Sequence, residues 1–123
     1  MANDFKRFTA TSITSGTTGA SADAVYTVPA GSGSAALETV VIGILLSNKS
    51  SGAITASVFL DDYAGSADAY LIKDAPIPAG SSLEILSGNK VVLQNNGSAG
   101  DALRVETNTA AACDAVISVL EDV

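Results

Sequence analysis

Carboxylates are the only chemically versatile side chains this sequence holds in quantity: 13 Asp and Glu stand against 6 Lys and Arg, with no histidine. Asp61, Asp62 and Asp68 bracket the stretch "DDYAGSAD", and a loop bearing three hard oxygen ligands is a candidate site for Ca²⁺. Paired carboxylates could also act as the acid and base of a glycosidase. Against calcium, the spacing fits no EF-hand loop, and aspartates in turns commonly bond their own backbone. Against a glycosidase, sugar clefts stack their substrates on aromatic rings, and the chain has no Trp and only three Tyr. The expectation is therefore no metal site, with Asp61, Asp62 and Asp68 as the residual calcium candidates.

Other chemistries are harder to build. Without histidine there is no Ser-His-Asp triad, and the commonest general base is missing. Cys113 is the single cysteine, so a zinc site and an intrachain disulfide are both excluded. It comes after "TAAA" and precedes Asp114, which suits a small buried residue at a strand edge better than a nucleophile. The run "GSGSAA" at 31–36 matches Gly-x-Gly-x-x-Ala. The residues after it are β-branched and the run is short, so a dinucleotide phosphate would find no helix N-terminus there. No catalytic residue and no cofactor are expected.

The aromatic residues point to contacts instead. Two of the three Phe, Phe5 and Phe8, flank Lys6 and Arg7 in the first eight residues of an otherwise acidic chain. Aromatic and Arg side chains are favoured anchors at interfaces, so Phe5, Lys6, Arg7 and Phe8 are the candidate partner-binding element, an arm clipped onto a neighbouring chain. The competing reading makes this segment the first strand of the domain, with Phe8 closing one end of the core.

The elements that must position these residues are short strands. At 123 residues, 47% hydrophobic and 15% charged, the chain is long enough for one core and lies far from the composition of disorder. A charge of −7 and a pI near 4.1 disfavour nucleic acid as a partner, because phosphate affinity comes from Lys and Arg. The longest apolar run, "VVIGILL" at 40–46, is far below the roughly 18 residues of a membrane helix. The N-terminal basic pair leads into Thr and Ser, unlike a secretory signal. Asn48-Lys49-Ser50 and Asn96-Gly97-Ser98 match a glycosylation sequon, but turn asparagines account for both.

Runs of Val, Ile, Leu, Thr and Tyr broken by Gly, Ser, Asn, Asp or Pro predict strands at 5–13, 24–28, 36–47, 53–61, 68–73, 82–87, 90–94, 101–107 and 114–121. Residues 14–22, "TSGTTGASA", read as a loop, dividing a segment 1–23 from a body 24–123. Alternation places Ile54, Ala56, Val58 and Leu60 on one face, and Leu103 and Val105 likewise. The run "ETVVIGILLS" is apolar on both faces. Strict alternation sets Val40, Ile42 and Ile44 on one side and Val41 and Leu45 on the other. A helix competes for this run, but Gly43 and the β-branched residues favour a strand. Its second face would then need a neighbouring subunit, making Val41 and Leu45 the candidate oligomer interface. "VPAGS" at 28–32 returns as "IPAGS" at 77–81; Pro stops a strand at each, and Gly31 and Gly80 let the chain turn back. The polar turns "SNKSSGA" and "NNGSAGDA" form a second corresponding pair. Two such halves suit a double Greek key. The fold expected is all-β: a single-domain antiparallel β-sandwich, jelly-roll-like, with an extended N-terminal arm.

Three phrases, "YTVPAGSGSAALETVVIGILLSNKSSGAITASVFL", "YLIKDAPIPAGSSLEIL" and "GDALRVET" with "DAVISVLED", resemble small virion proteins of tailed bacteriophages. The resemblance spans roughly residues 24 to 123 and rests on turn chemistry and strand pattern. It implies a jelly-roll-like structural protein made in the host cytoplasm and carried on the virion, above all a capsid decoration or cement protein. Neck, tail and fibre components belong to the same class, and a carbohydrate- or receptor-binding sandwich is the alternative outside it. Implied partners are the major capsid protein or other virion proteins and further copies of the chain, a trimer foremost. No nucleic acid, membrane or catalytic residue is implied.

Overall fold

The computed structural model describes residues 3–13, 23–31, 33, 36–62, 68–86, 88–109 and 111–122. These residues contain no helix and form two antiparallel sheets facing one another across a core. The strands are β1 (Asn3–Ala10), β2 (Asp23–Thr27), β3 (Leu37–Asn48), β4 (Ile54–Asp61), β5 (Asp68–Ile77), β6 (Ser82–Glu84), β7 (Val91–Asn95), β8 (Ala102–Thr107) and β9 (Cys113–Asp122). The predicted loop at 14–22 and the tip of the "DDYAGSAD" loop, 63–67, lie outside the described residues.

One sheet runs β1-β9-β3, with β6 and β7 placed end to end along the far side of β3; the other runs β2-β8-β4-β5. The pairings nest. β1 pairs with β9, β2 with β8, β3 with β6 and β7, and β4 with β5, so the chain is one long hairpin doubled back on itself. Additional pairs, β3 with β9 and β4 with β8, wrap that ribbon into two layers. Between them pack Val25, Tyr26 and Val28, then Val41, Ile44 and Leu46, and Ile54, Val58, Leu103, Val105, Ile117 and Val119. This is a β-sandwich.

Two differences from strict alternation matter. In β3, Val41 pairs with Val119 but Gly43 pairs with Ser118, so Ile42 is an extra residue, a β-bulge that reverses the side-chain phase. Leu37, Thr39 and Val41 point inward before it, and Ile44, Leu46 and Asn48 after it. Val41 is thus sealed in its own core at 0% exposure and is not available to a neighbouring subunit, whereas Leu45 does face outward, joined by Ile42. Glu84 secures the bulge: its Oε2 accepts hydrogen bonds from the Ile44 and Leu86 N–H groups, both at 3.1 Å. In β5 the strand continues past the expected end at 73, through Pro76. That is tolerated because β5 is an edge strand, where a missing N–H costs no ladder bond.

The repeated Pro-Ala-Gly-Ser phrase marks two corners held by one device. Asn95 Nδ2 donates to the Val28 carbonyl (2.8 Å) and Asn48 Nδ2 to the Ile77 carbonyl (2.9 Å), in each case the carbonyl just before the proline. Each asparagine turns its Oδ1 back on its own turn, accepting from Gly97 N–H (2.7 Å) and Ser50 N–H (2.9 Å) respectively. At the second corner Ser81 N–H bonds the Pro78 carbonyl with Gly80 at φ +71°, the left-handed third position of a type II turn. At the first corner the positive φ falls on Gly33 and not on Gly31. Gly100 lies against the first latch, where a Cβ would overlap the Val28 carbonyl oxygen and come within 2.7 Å of Asn95 Nδ2.

Both latches can be tested by thermal unfolding. Asn48→Ala and Asn95→Ala each strand a carbonyl in the interior and are expected to cost about 1–3 kcal/mol. Gly100→Ala, which forces the Val28 corner outward, is expected to cost about as much as an overpacked core, roughly 1–3 kcal/mol.

Candidate functional site

β1 is an edge strand joined to β9 over eight residue pairs, from Asn3–Asp122 to Ala10–Ala115. Its side chains divide by face. Phe8 and Ala10 pack against the core, while Phe5, Arg7 and Thr9 line the outside of the five-stranded sheet. In this chain the segment of Phe5, Lys6, Arg7 and Phe8 is therefore built into the sandwich as its first strand.

Lys6 and Phe8 anchor it from the inner side. Lys6 Nζ lies 2.8 Å from Oε1 of Glu121, whose side chain is 1% exposed. The other oxygen, Oε2, accepts a 2.6 Å hydrogen bond from the Tyr26 hydroxyl, which also contacts Thr39 Oγ1 at 3.0 Å. The Phe8 ring leans on Tyr26 with centroids 4.8 Å apart. A carboxylate cannot stay charged in an apolar interior unless paired and hydrogen-bonded; Lys6 and Tyr26 meet that requirement from two different sheets. Burial, then the bond to Glu121, pushes the Tyr26 phenol well above its ordinary range. Contact with the Glu121 carboxylate raises Lys6. At the other end of β1, Asp114 accepts from the Ser12 N–H (2.8 Å) and pairs with Lys49 (2.9 Å), in that order lowering its carboxyl pKa.

The outward side of this sheet carries most of the exposed large apolar groups among the described residues. One row crosses it from Phe5 through Leu120 and Val40 to Val92. A second runs from Thr9 through Val116 and Leu45 to Glu84. Phe5 is 78% exposed and Val92 56%, with Ile42, Leu45 and Val116 each exposed by more than a third. Between the rows lie Arg7, Ser118 and Gly43 in register, with the Glu84 carboxylate over Gly43. Arg7 makes no ion pair among the described residues. Contiguous apolar surface rimmed by polar groups marks an interaction site.

The three calcium candidates are not gathered into a site. Asp61 and Asp68 are paired across the end of β4 and β5, but Asp61 is engaged by Arg104 Nε at 2.9 Å. No group of three His, Cys, Asp or Glu among the described residues is placed to hold a metal ion. Cys113 is buried, and that burial pushes its thiol from an ordinary 9.0 to about 11, the opposite of a nucleophile's activation. The outer face of the four-stranded sheet holds Phe59, fully buried beneath Tyr70 (ring centroids 5.1 Å apart), with Lys73 over the Tyr70 ring. Of the groups that shape the apolar face, sequence reasoning singled out Phe5, Arg7 and Leu45 but missed Ile42, Val92 and Glu84. It also missed Glu121, although Glu121 shares the strand parity of the buried Ile117 and Val119.

The chain matches no family model, no curated protein and no solved structure.

The buried pair and the buried thiol each have a measurable signature. Lys6→Met should lower the melting temperature by several degrees, and adding Glu121→Gln should recover part of the loss, because the damage is an uncompensated charge and not missing volume. Tyr26→Phe, which removes one donor to Glu121, should cost about 1–3 kcal/mol. Groups whose folded pKa is raised contribute stability that is complete below the unfolded value and lost as pH rises through the folded one. Stability measured against pH should therefore begin to fall above about 9 as Cys113 titrates in the unfolded chain first, with Tyr26 adding to the fall above its ordinary value of 10.0, and Cys113→Ala should remove the earlier part of that fall.

Proposed function

We propose that this chain is a non-enzymatic structural protein of a bacteriophage virion, a capsid decoration or cement protein that binds the assembled shell and stabilises it. One observation carries the reading: the most accessible large apolar side chains, Phe5 and Val92, lie on one sheet face, and the polar clusters beside it are tied up in structural bonds. What the described residues offer is surface for contact.

The jelly-roll form of the sandwich is supported by the nested pairing of β1 with β9, β2 with β8, β3 with β6 and β7, and β4 with β5, which is a hairpin rolled into two Greek keys. The bacteriophage assignment is supported by the turn phrases of residues 24–123. A cement protein acts by mass action: it binds the assembled state and not its dissociated parts, so its contact free energy adds to the stability of the shell. Its partners on this reading are the major capsid protein or other virion proteins, and further copies of itself. It would sit on the capsid surface.

Purified protein mixed with shells lacking it should co-sediment with them and raise their thermal disruption temperature, while ignoring isolated shell subunits. Equal binding to free subunits, or none to shells, would sink the proposal.

A further inference from the structure

We propose that the outer face of the five-stranded sheet pairs with the same face of a second copy, about a two-fold axis lying parallel to the strands between β9 and β3. This names the partner of the surface on which the assembly reading rests, yet it stands on the geometry of that face alone.

The face is self-complementary about that line. In the first row, Phe5 and Val92 are the outer members and Leu120 and Val40 the inner ones. Rotation about an axis between β9 and β3 sets Leu120 over Val40 of the second copy and Phe5 over its Val92. In the second row the same rotation sets Val116 over Leu45. Phe5 and Val92, the two most exposed large apolar residues, thus cover one another twice.

Charge selects the same arrangement. Arg7 sits on one flank of the middle row, and the Glu84 carboxylate, held over Gly43 by the Ile44 and Leu86 N–H groups, on the other. The rotation brings each Arg7 towards the Glu84 of the other copy, so that both pairs form between opposite signs. An axis perpendicular to the strands and lying in the face would instead set Arg7 against Arg7. Among the residues whose side chains are described, the remaining acids of the face are Glu38 and Asp114, which lie beyond the two apolar rows, where water screens them. A foreign partner would have to reproduce this pattern of one base and one acid about an apolar strip; a second copy has it already.

The size is sufficient for a reversible pair. Four strands about 4.8 Å apart and outward rows about 6.8 Å apart give a footprint on the order of 500 Å² per copy. That is near the lower bound of specific interfaces, as suits a weak, reversible pair.

Sedimentation equilibrium of the full chain at micromolar concentrations should show monomer and dimer. Leu45→Lys and Val116→Lys, whose side chains face solvent in the single chain and so leave its fold intact, should each weaken association about tenfold or more. Geometry is tested by crosslinking. Within one chain Phe5 and Val92 are three strand spacings apart, about 14 Å, whereas across the interface they face one another over a sheet separation of about 10 Å. A short bismaleimide should therefore join a Phe5→Cys chain to a Val92→Cys chain, but neither variant to itself; buried Cys113 stays silent. A chain that remains monomeric, a trimer, a dimer indifferent to Leu45→Lys, or Val92→Cys crosslinking to itself would overturn the pairing. Shell binding is read separately: a monomer that still binds shells removes this pairing alone, and a dimer that ignores shells removes the proposed function alone.

Discussion

Two hydrogen bonds of the same kind decide whether the two layers can close: the side-chain amides of Asn48 and Asn95 reaching the carbonyls of Ile77 and Val28. Each carbonyl precedes a proline, whose nitrogen has no proton to offer and whose ring keeps the preceding residue extended. The chain leaves its sheet at that point with a buried carbonyl acceptor. An asparagine side chain donates to it while its own oxygen caps the turn on which it sits. The latches are exchanged between the halves, because the later asparagine holds the earlier corner and the earlier asparagine the later one. Neither half is complete alone, which is how the doubled ribbon becomes one cooperative unit.

The local nature of these corner devices sets how far the sequence could be read. Corners and strands were legible, since Pro, Gly and Asn act locally and a half-buried strand alternates with period two. In β4 and β8 the expected inward residues Ile54, Ala56, Val58, Leu103 and Val105 do pack in the core, although Ser57, Phe59 and Glu106 on the opposite face are buried as well; all nine predicted strands coincide with observed ones to within a few residues. The features that escaped are non-local. The bulge at Ile42 and Gly43 is imposed by pairing with β9 and by Glu84 forty positions away, and nothing inside "ETVVIGILLS" announces it beyond a glycine. One extra residue then exchanges the faces, which is why Val41 went to the wrong side while Leu45 did not.

Glu121 is non-local in another way. An acid two residues from the end of an acidic sequence looks like a solvated one, yet it is among the most buried side chains of the chain. Strand parity places it inward, and its companions decide that it can stay there: Lys6 from the first strand and Tyr26 from the opposite sheet. A buried carboxylate so held adds little net stability compared with a well-packed apolar side chain. It does add discrimination, because β1 shifted by one residue along β9 would turn Lys6 outward and leave the charge uncompensated. The basic residue that sequence reasoning assigned to an external partner therefore serves, in this chain, to fix the register of its own first strand.

The two outer faces of the sandwich both carry an aromatic ring, but they treat it differently. On the four-stranded sheet Phe59 is covered completely by the chain's own groups: Tyr70 leans on it, Lys73 lies over Tyr70, and the neighbouring Arg104 is tied to Asp61. On the five-stranded sheet Phe5 stands open beside Leu120, Val40 and Val92, and the one long cation at hand, Arg7, makes no ion pair among the described residues. A long basic side chain can lay its stem over apolar surface and keep its head in water, and an acid on a neighbouring strand would fix it there. That arrangement is assembled on one side of the molecule. The other side has Arg7 at one end of the row that passes through Ser118 and Gly43, and the carboxylate of Glu84, from the neighbouring row, reaches over Gly43 at its far end. Arg7 and Glu84 therefore do not meet within the chain, and the proposed pairing of two copies is the arrangement that would join them.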